Sequence, residues 1–194
     1  MKSEILHLLR HADGYVSGQQ LCETFGVSRT AVWKVINQLK EEGYVIDSVQ
    51  NKGYRITEYP DIITASEIES LLLDDSGNMQ GICRHIQYFD KTDSTNNQAK
   101  LAAEKNAPEG TLFVAECQTG GRGRRGKTWE SPAGSGIWMS LLLRPDISPE
   151  SASMLTLVLA VAMVDAINEE VQEAKCYVKW PNDIVLNNRK ISGT

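Results

Sequence analysis

The sequence predicts an α+β fold in two parts: a small helical unit that ends in a β-hairpin, and a larger mixed β-sheet flanked by helices. Three observations support this. Apolar residues recur at helical spacing from Ile5 to Leu39. Two β-like runs follow before Pro60. Beyond Pro60, β-like runs alternate with helical stretches, and both kinds of element need a partner face to pack against. We place the boundary there, which gives domains 1–60 and 61–194.

The first part has the pattern of three short helices. Apolar residues give the first helix one buried face: Ile5, Leu6, Leu8 and Leu9. Ser17 begins a capping box with Gln20, and Ser28 caps the third helix. Gly26 and Gly43 stand where the second and third helices should end. The third helix carries an apolar stripe that must be buried: Val32, Val35, Ile36 and Leu39.

The pattern predicts a winged helix-turn-helix, because two short helices joined by a tight turn are followed by β-like runs at 44–47 and 54–57. The third helix, Ser28 to Lys40, would enter the major groove of DNA. Candidate DNA-binding residues are Ser28, Arg29, Thr30, Trp33, Lys34, Asn37, Lys52 and Arg55. Residues 1–60 contain seven basic and seven acidic side chains, so a monomer should bind DNA weakly. A winged helix used only for protein contact is the alternative.

The second part alternates predicted helices and strands. The predicted order is helix 64–73, strand 85–89, helix 94–105, strand 111–117, strand 137–143, helix 148–171, strand 177–180 and strand 184–186. Ser148-Pro149-Glu150 is a strong start for the long apolar helix. Asn187-Asn188 suits a hairpin turn after the last of these strands.

The composition is that of a globular protein with reduced cysteines. The chain has 194 residues, 41% hydrophobic and 23% charged, with a net charge of −5 and four cysteines that form no Cys-x-x-Cys pair. Such a chain can bury a core without a disulfide or a zinc ribbon. We find no signal peptide, and the longest apolar run, 154–164, is too short to span a bilayer. These features favour a soluble, cytoplasmic protein with no membrane association.

A glycine-rich basic segment, residues 120–128 (G-G-R-G-R-R-G-K-T), is the main chemical signal. Its letters fit both the phosphate-loop and the dinucleotide-binding patterns, each of which needs a helix directly after the loop. Pro132, Gly134 and Gly136 cannot build that helix, so we reject a P-loop kinase and a Rossmann dehydrogenase. The segment's cations repel one another unless an anion neutralises them: Arg122, Arg124, Arg125 and Lys127. We therefore interpret it as a loop that closes over an anionic substrate or intermediate. A solvated basic loop or a phosphate-backbone contact is the alternative.

Two further polar segments accompany this loop. Residues 93–96 (D-S-T-N) place hydroxyls and an amide at a helix start, which suits a neutral polar ligand; simple helix capping is the alternative. Residues 179–183 (K-W-P-N-D) interrupt two β-like runs, and Pro181 there indicates a bulge or an edge. Lys190 could face the same cleft.

In combination these motifs resemble those of the bifunctional biotin protein ligases that also repress the biotin operon. The motifs are D-S-T-N, Q-x-G-G-R-G-R-R-G, K-W-P-N-D-I and R-K-I-S-G, in the expected order. The resemblance implies an enzyme that makes biotinyl-adenylate from biotin and ATP with magnesium. It then transfers biotin to a lysine of the biotin carboxyl carrier domain of a carboxylase. It also implies that the adenylate is a corepressor that promotes homodimerisation and binding to operator DNA.

The resemblance assigns roles to individual residues. Biotin would be bound by Ser94, Thr95, Asn96, Gln118, Arg122, Gly123, Arg124 and Lys190. The nucleotide would contact Trp129 and Asn182. Arg122, Arg124 and Lys190 would act in catalysis by offsetting the charge of the two reacting anions. The resemblance assigns no metal-binding side chain.

Members of the family continue beyond the last motif with the rest of the sheet and a C-terminal β-barrel. We therefore expect a fragment or a truncated form with little ligase activity, because the edge strands of an incomplete sheet are exposed. Two rivals remain. One is a non-catalytic winged-helix repressor that senses biotin or a related ligand, and the other is a lipoate-type acyl ligase.

Overall fold

The computed structural model describes residues 1–123, 126–171 and 175–193. The chain divides into two compact units, Met1–Leu143 and Arg144–Thr194. The first unit contains α1 (Lys2–His11), α2 (Gly18–Phe25), α3 (Arg29–Glu41), β1 (Val45–Val49), β2 (Gly53–Glu58), α4 (Ala65–Leu72), β3 (His85–Phe89), α5 (Thr95–Glu104), β4 (Thr111–Ala115) and β5 (Trp138–Leu142). The second contains a 3-10 turn (Pro149–Ser151), α6 (Ala152–Glu170), β6 (Tyr177–Lys179), β7 (Asp183–Leu186) and β8 (Arg189–Gly193).

The predicted three helices and hairpin of the N-terminal part are present. Ser17 Oγ accepts a hydrogen bond from Gln20 N at 3.0 Å, and Ser28 Oγ accepts one from Ala31 N at 3.2 Å. These side chains satisfy amide groups that the first turn of a helix cannot pair internally. The predicted apolar stripe of α3 is buried in one core with α1 and the hairpin, formed by Ile5, Leu6, Leu9, Val32, Val35, Ile36, Leu39, Ile46 and Ile56.

The wing is fastened to the chain that precedes α2. Val16 and Tyr54 exchange two backbone hydrogen bonds of 2.9 Å, so Val16 acts as a third strand of one residue. Gly53 has φ +115, and a Cβ at this position would collide with the carbonyl oxygen of Val16. Glycine is therefore required at position 53 both by its backbone conformation and by this close approach.

Helix α4 is attached to the winged helix by polar contacts. Arg10 Nη2 lies 2.6 Å from Glu67 Oε1, and the Tyr44 hydroxyl donates to Glu67 Oε2. His7 Nδ1 is hydrogen-bonded to the carbonyl of Ser70 at 2.8 Å. Burial, and then the hydrogen bond to Glu67, raise the pKa of Tyr44 well above its ordinary value. These contacts hold the first helix beyond residue 60 against the winged helix, and the division at residue 60 stays a prediction.

The sheet β3-β4-β5 is mixed, as predicted. β3 and β4 are parallel neighbours, and β4 and β5 are antiparallel. The central strand is the most buried, with Phe113, Val114 and Ala115 almost fully covered. Because β3 and β4 run in the same direction with α5 between them in the chain, the segments after both strands emerge at one edge of the sheet.

The second unit combines α6 with an antiparallel sheet in the order β6-β7-β8. The predicted turn at Asn187-Asn188 is confirmed, because both residues have positive φ, 49° and 60°, as a tight hairpin turn requires. Pro181 lies in the turn that joins β6, an edge strand of this sheet, to β7. Of the predicted alternatives, a bulge or an edge, the bulge is therefore excluded. The register shift in β7 falls between Ile184 and Val185. Strands β6 to β8 pair locally as hairpins, so the described strands after residue 61 form two sheets.

The helical stretch Pro149–Glu170 has 22 residues and a mean hydropathy of 1.7 over 18 of them, with 6% of that window buried. Within 1–123, 126–171 and 175–193, it is the one helix long and apolar enough to cross a membrane by length and composition. The run 154–164, judged too short from the sequence, is only part of this apolar helix, so its length does not exclude a span. The expected lack of membrane association stays a prediction. Core helices of globular proteins meet the same criterion, so it does not by itself place α6 in a membrane.

Replacing Gly53 by alanine should destabilise the winged helix. The positive φ and the collision with Val16 together should lower the free energy of unfolding by about 1–3 kcal/mol. Gly14→Ala is the matched control, because a Cβ there meets nothing within 4 Å, and it should stay within about 0.5 kcal/mol of the parent. Urea unfolding followed by circular dichroism measures both. Equal stabilities of the two variants would contradict the close approach at Gly53.

Candidate functional site

The polar segments that follow β3 and β4 lie side by side. Thr92 N donates to the carbonyl of Cys117 at 3.0 Å, and Thr119 N donates to the carbonyl of Thr92 at 2.9 Å. Gly120 N donates to the carbonyl of Asp93 at 2.7 Å. The parallel pairing of the strands thus continues into the D-S-T-N motif and the start of the glycine-rich loop. Open sheets of this kind bind ligands at the carboxyl ends of their parallel strands.

Asp93 organises the start of α5. Its carboxylate accepts hydrogen bonds from Asn97 Nδ2 at 2.5 Å, Gln98 Nε2 at 3.0 Å and Thr92 Oγ1 at 3.2 Å. The hydrogen bond from Asn97 contributes most to lowering the pKa of Asp93 to about 2, because donors stabilise the ionised form. Asp93 therefore stays negatively charged beside the loop at neutral pH. Sequence reasoning included Asp93 in a motif but gave it no role of its own.

Ser94 and Thr95 are buried at the start of α5, 2% and 3% exposed, whereas Asn96 is exposed. Ser94 is the N-cap residue, but its side chain makes no capping hydrogen bond. Simple helix capping therefore does not explain Ser94. Thr95 Oγ1 lies 3.0 Å from Ser140 Oγ on β5. Sequence reasoning missed Ser140, because a lone serine in a predicted strand belongs to no motif.

Gln118 connects the helix start to the far side of the loop. Its Oε1 accepts hydrogen bonds from Thr95 N at 2.9 Å and Thr95 Oγ1 at 3.2 Å. Its Nε2 donates to Ser131 Oγ at 3.0 Å, and its backbone N donates to the carbonyl of Ser131 at the same distance. The structure thus brings together Thr95 and Gln118, two of the predicted ligand-binding residues. It adds Ser131, which sequence reasoning also missed.

The two sides of the glycine-rich loop pair with each other. Trp129 N donates to the carbonyl of Gly121 at 2.9 Å, and Gly123 N donates to that of Lys127 at 2.7 Å. A Cβ on Gly121 would collide with the carbonyl of Trp129, so the sides can approach this closely only with glycine. Residues 129–137, all of them described, form no helix, which confirms the rejection of the P-loop and Rossmann alternatives. The predicted site residue Arg124, and Arg125 beside it, lie outside the described residues.

An open cavity of about 600 Å³ lies between the start of α5 and the loop. Its lining includes the exposed cations Arg122 and Lys127, together with Asp93 and Asn97. The two cations can bind an anion. Next to the cavity along the chain, the buried hydroxyls of Ser94 and Thr95 and the half-buried amide of Gln118 can bind neutral polar atoms. This arrangement suits a ligand with one charged and one neutral polar end.

Two predicted site residues belong to the second unit. Asn182 is buried in the turn between β6 and β7. Lys190 on β8 forms an ion pair with Asp183 at 2.7 Å, so the K-W-P-N-D and R-K-I-S-G motifs meet within this unit. The prediction that Asn182 and Lys190 act with residues 93–131 stays a prediction.

The candidate DNA-binding face of the winged helix is solvent-accessible on α3. Thr30, Trp33 and Lys34 are exposed, Trp33 by 56%, and Asn37 is half-buried. The hydroxyl of Ser28 caps α3, and Arg29 donates to Gln19 Oε1 at 3.0 Å. On the wing, Lys52 is exposed, whereas Arg55 pairs with Asp47 at 3.1 Å and stacks 4.8 Å above the ring of Tyr15.

The fold and the site define a winged-helix protein with a second α+β part that carries a polar cavity at the ends of two parallel strands. A family model described as an HTH domain matches residues 2–55, and one described as the Biotin/lipoate A/B protein ligase family matches residues 88–194. The chain belongs to the biotin/lipoate A/B protein ligase family. The resemblance stated from the sequence motifs is confirmed.

The relatives of the chain include proteins that are named as both ligase and repressor. The bifunctional ligase/repressor BirA of Bacillus subtilis is 42% identical over 194 residues, which are 100% of this chain and 58% of that protein. The BirA of Escherichia coli is 34% identical over 98% of this chain and 56% of that protein. A solved structure of biotin protein ligase from Aquifex aeolicus in complex with biotin and ATP is 35% identical, covers 57% of this chain and 45% of that chain, and has a TM-score of 0.50. The chain thus spans somewhat more than half the length of its curated relatives.

Proposed function

We propose that the protein is a biotin protein ligase that also represses transcription, with biotinyl-adenylate as its corepressor. The observation that carries this proposal is the meeting of the D-S-T-N segment and the glycine-rich loop at the ends of β3 and β4, joined by the side chain of Gln118. Family membership and the bifunctional relatives support it. The substrates are biotin, ATP with its magnesium ion, and a lysine of the biotin carboxyl carrier domain of a carboxylase.

The chemistry has two steps. The biotin carboxylate attacks the α-phosphorus of ATP, a carboxyl oxygen–phosphorus bond forms, and pyrophosphate leaves. The amine of the carrier lysine then attacks the acyl carbon, an amide forms, and AMP leaves. The first step brings two anions together, and Arg122 and Lys127 at the cavity, with Arg124 and Lys190 as predicted, offset their repulsion. The enzyme needs no nucleophilic side chain, since the nucleophiles belong to the substrates.

Magnesium enters as part of the nucleotide substrate. Among the described residues, no three His, Cys, Asp or Glu side chains come together in a way that could hold a metal ion. Magnesium prefers phosphate oxygens and water and uses few protein ligands, which fits a Mg·ATP complex whose phosphates are held by cationic side chains. Ser94, Thr95, Asn96 and Gln118 are then the residues proposed to hold biotin, and the resemblance assigns Trp129 and Asn182 to the nucleotide.

The winged helix supplies the repressor function. Its exposed α3 face carries Trp33 and Lys34, which can reach base edges and phosphates in a major groove. The winged helix, residues 1–60, has no excess of basic residues. One copy therefore binds DNA weakly, and a homodimer on two operator half-sites binds well. Location in the cytoplasm, where DNA and carboxylases meet, agrees with the four free cysteines.

Biotin-dependent exchange of labelled pyrophosphate into ATP tests the ligase function. We expect exchange in this chain fused to the C-terminal part of the Bacillus subtilis relative, and residues 1–194 are assayed beside it. Arg122→Ala should lower the exchange rate about 100-fold, because one preorganised donor to a transition-state anion is lost. Lys100→Ala, an exposed cation on α5, is the matched control and should leave the rate unchanged.

The outcomes separate the rival functions. Exchange that depends on lipoate and not on biotin would identify a lipoate-type ligase. Biotin binding without exchange in either protein would identify a non-catalytic sensor. Either result would overturn the proposed ligase function.

The salt dependence of DNA binding tests the repressor function. Each phosphate contact adds about one unit to the slope of log K against log salt concentration, so Lys34→Ala should lower that slope by about 1. Arg55→Ala should lower it less, because Asp47 already pairs with that guanidinium. Fluorescence anisotropy with a labelled duplex, in the presence of biotin and ATP, measures both slopes. No DNA binding at low salt would contradict the proposal and favour a winged helix for protein contact.

A further inference from the structure

The side-chain amide of Gln118 has a fixed orientation. The backbone N–H of Thr95 can only donate, so the Gln118 atom 2.9 Å away from it must be the oxygen, Oε1. Thr95 Oγ1 donates to the same oxygen at 3.2 Å. These two bonds use both acceptor positions of Oε1.

Ser131 holds the other end of this amide. The carbonyl of Trp129 can only accept, so the single hydroxyl proton of Ser131 goes to it, at 3.2 Å. Ser131 Oγ must therefore accept the hydrogen bond from Gln118 Nε2, at 3.0 Å. Ser131 is only 3% exposed, so water does not readily replace either partner. The result is a directed chain of hydrogen bonds that runs from Thr95 through Gln118 and Ser131 to the carbonyl of Trp129.

The same chain extends to β5. Because Thr95 Oγ1 gives its proton to Gln118, Ser140 Oγ donates to Thr95 Oγ1 across the 3.0 Å between them. Each group from Ser140 to Ser131 thus donates to the next one in the series. This series of hydrogen bonds leaves the Gln118 side chain with one Nε2–H beyond these contacts and with no acceptor position.

We propose that Ser131 is a positioning residue that fixes the Gln118 amide, so that Gln118 presents a hydrogen-bond donor, and not an acceptor, to the ligand. This inference rests on the proposed function, in which Gln118 contacts biotin. The atom that Gln118 recognises is then an acceptor, such as the oxygen of a cyclic urea. Without Ser131, the amide loses the partner that holds Nε2, and a buried donor is left unsatisfied.

The first arm of the test uses the ligand-free chain. Nuclear magnetic resonance of ¹⁵N-labelled protein follows the backbone amide of Thr95 and the side-chain amide of Gln118. Ser131→Ala should shift both signals, whereas Ser131→Thr, which keeps a hydroxyl, should shift them less. Ser135→Ala is the matched control, because Ser135 is exposed and its hydroxyl donates only to the nearby carbonyl of Pro132, at 2.7 Å. Unchanged Thr95 and Gln118 signals in Ser131→Ala would overturn the proposal.

The second arm measures biotin affinity by calorimetry. Ser131→Ala should weaken binding about tenfold, and Ser131→Thr should recover most of the loss. In a Gln118→Ala background, Ser131→Ala should have no further effect, because the residue acts through Gln118. A merely structural serine would give additive losses, which would overturn the proposal.

A ligand that lacks the acceptor completes the second arm. In 2-iminobiotin a cyclic guanidine, protonated at neutral pH, replaces the urea, so an N–H donor stands where biotin has its oxygen. Ser131→Ala should then cost less affinity for 2-iminobiotin than for biotin. An equal loss for both ligands would overturn the donor assignment. If the unmodified chain bound no biotin, the proposed function would fail, while the resonance arm would still decide whether Ser131 positions Gln118.

Discussion

The candidate active site depends on the pairing of one partly buried amide, the side chain of Gln118. A buried amide without partners costs free energy, so the groups around Gln118 must satisfy it. They do so from two directions, since Thr95 supplies donors from the start of α5 and Ser131 supplies an acceptor from the segment beyond the loop. The two walls of the site are thereby held at a fixed separation. The glycine-rich loop can then close at its own base, where Gly121 allows Trp129 to approach.

A second polar cluster, away from the site, joins the winged helix to α4. Glu67 receives Arg10 from α1 and Tyr44 from the turn between α3 and β1, so its carboxylate is paired on both oxygens. Helix α4 also packs against β3, the strand that leads into the D-S-T-N segment. The winged helix and the sheet β3-β4-β5 are therefore connected by α4 within one compact unit. This contact gives the proposed ligase and repressor functions a common structural element.

The sequence predicted the elements well where a local signal exists. Ser17, Ser28 and Thr64 cap the helices that their positions indicated, and Asn187-Asn188 forms the expected hairpin turn. The sequence also predicted that no helix follows the glycine-rich loop, because proline and glycine disfavour a helix at their own positions. It could not show Ser131 or Ser140, since their roles come from neighbours on other strands. The ion pairs that engage Arg55 and Lys190 were hidden for the same reason.

Hydrogen exchange monitored by mass spectrometry, with and without biotin and Mg·ATP, tests the central claim that the ligands bind at the carboxyl ends of β3 and β4. Binding there should slow exchange of the backbone amides in residues 93–98, 117–123 and 126–131 when both ligands are present. The wing, residues 45–58, should be unaffected by direct contact and serves as the internal reference. Protection confined to other segments, such as α6, or no protection at any concentration of the two ligands, would contradict the account.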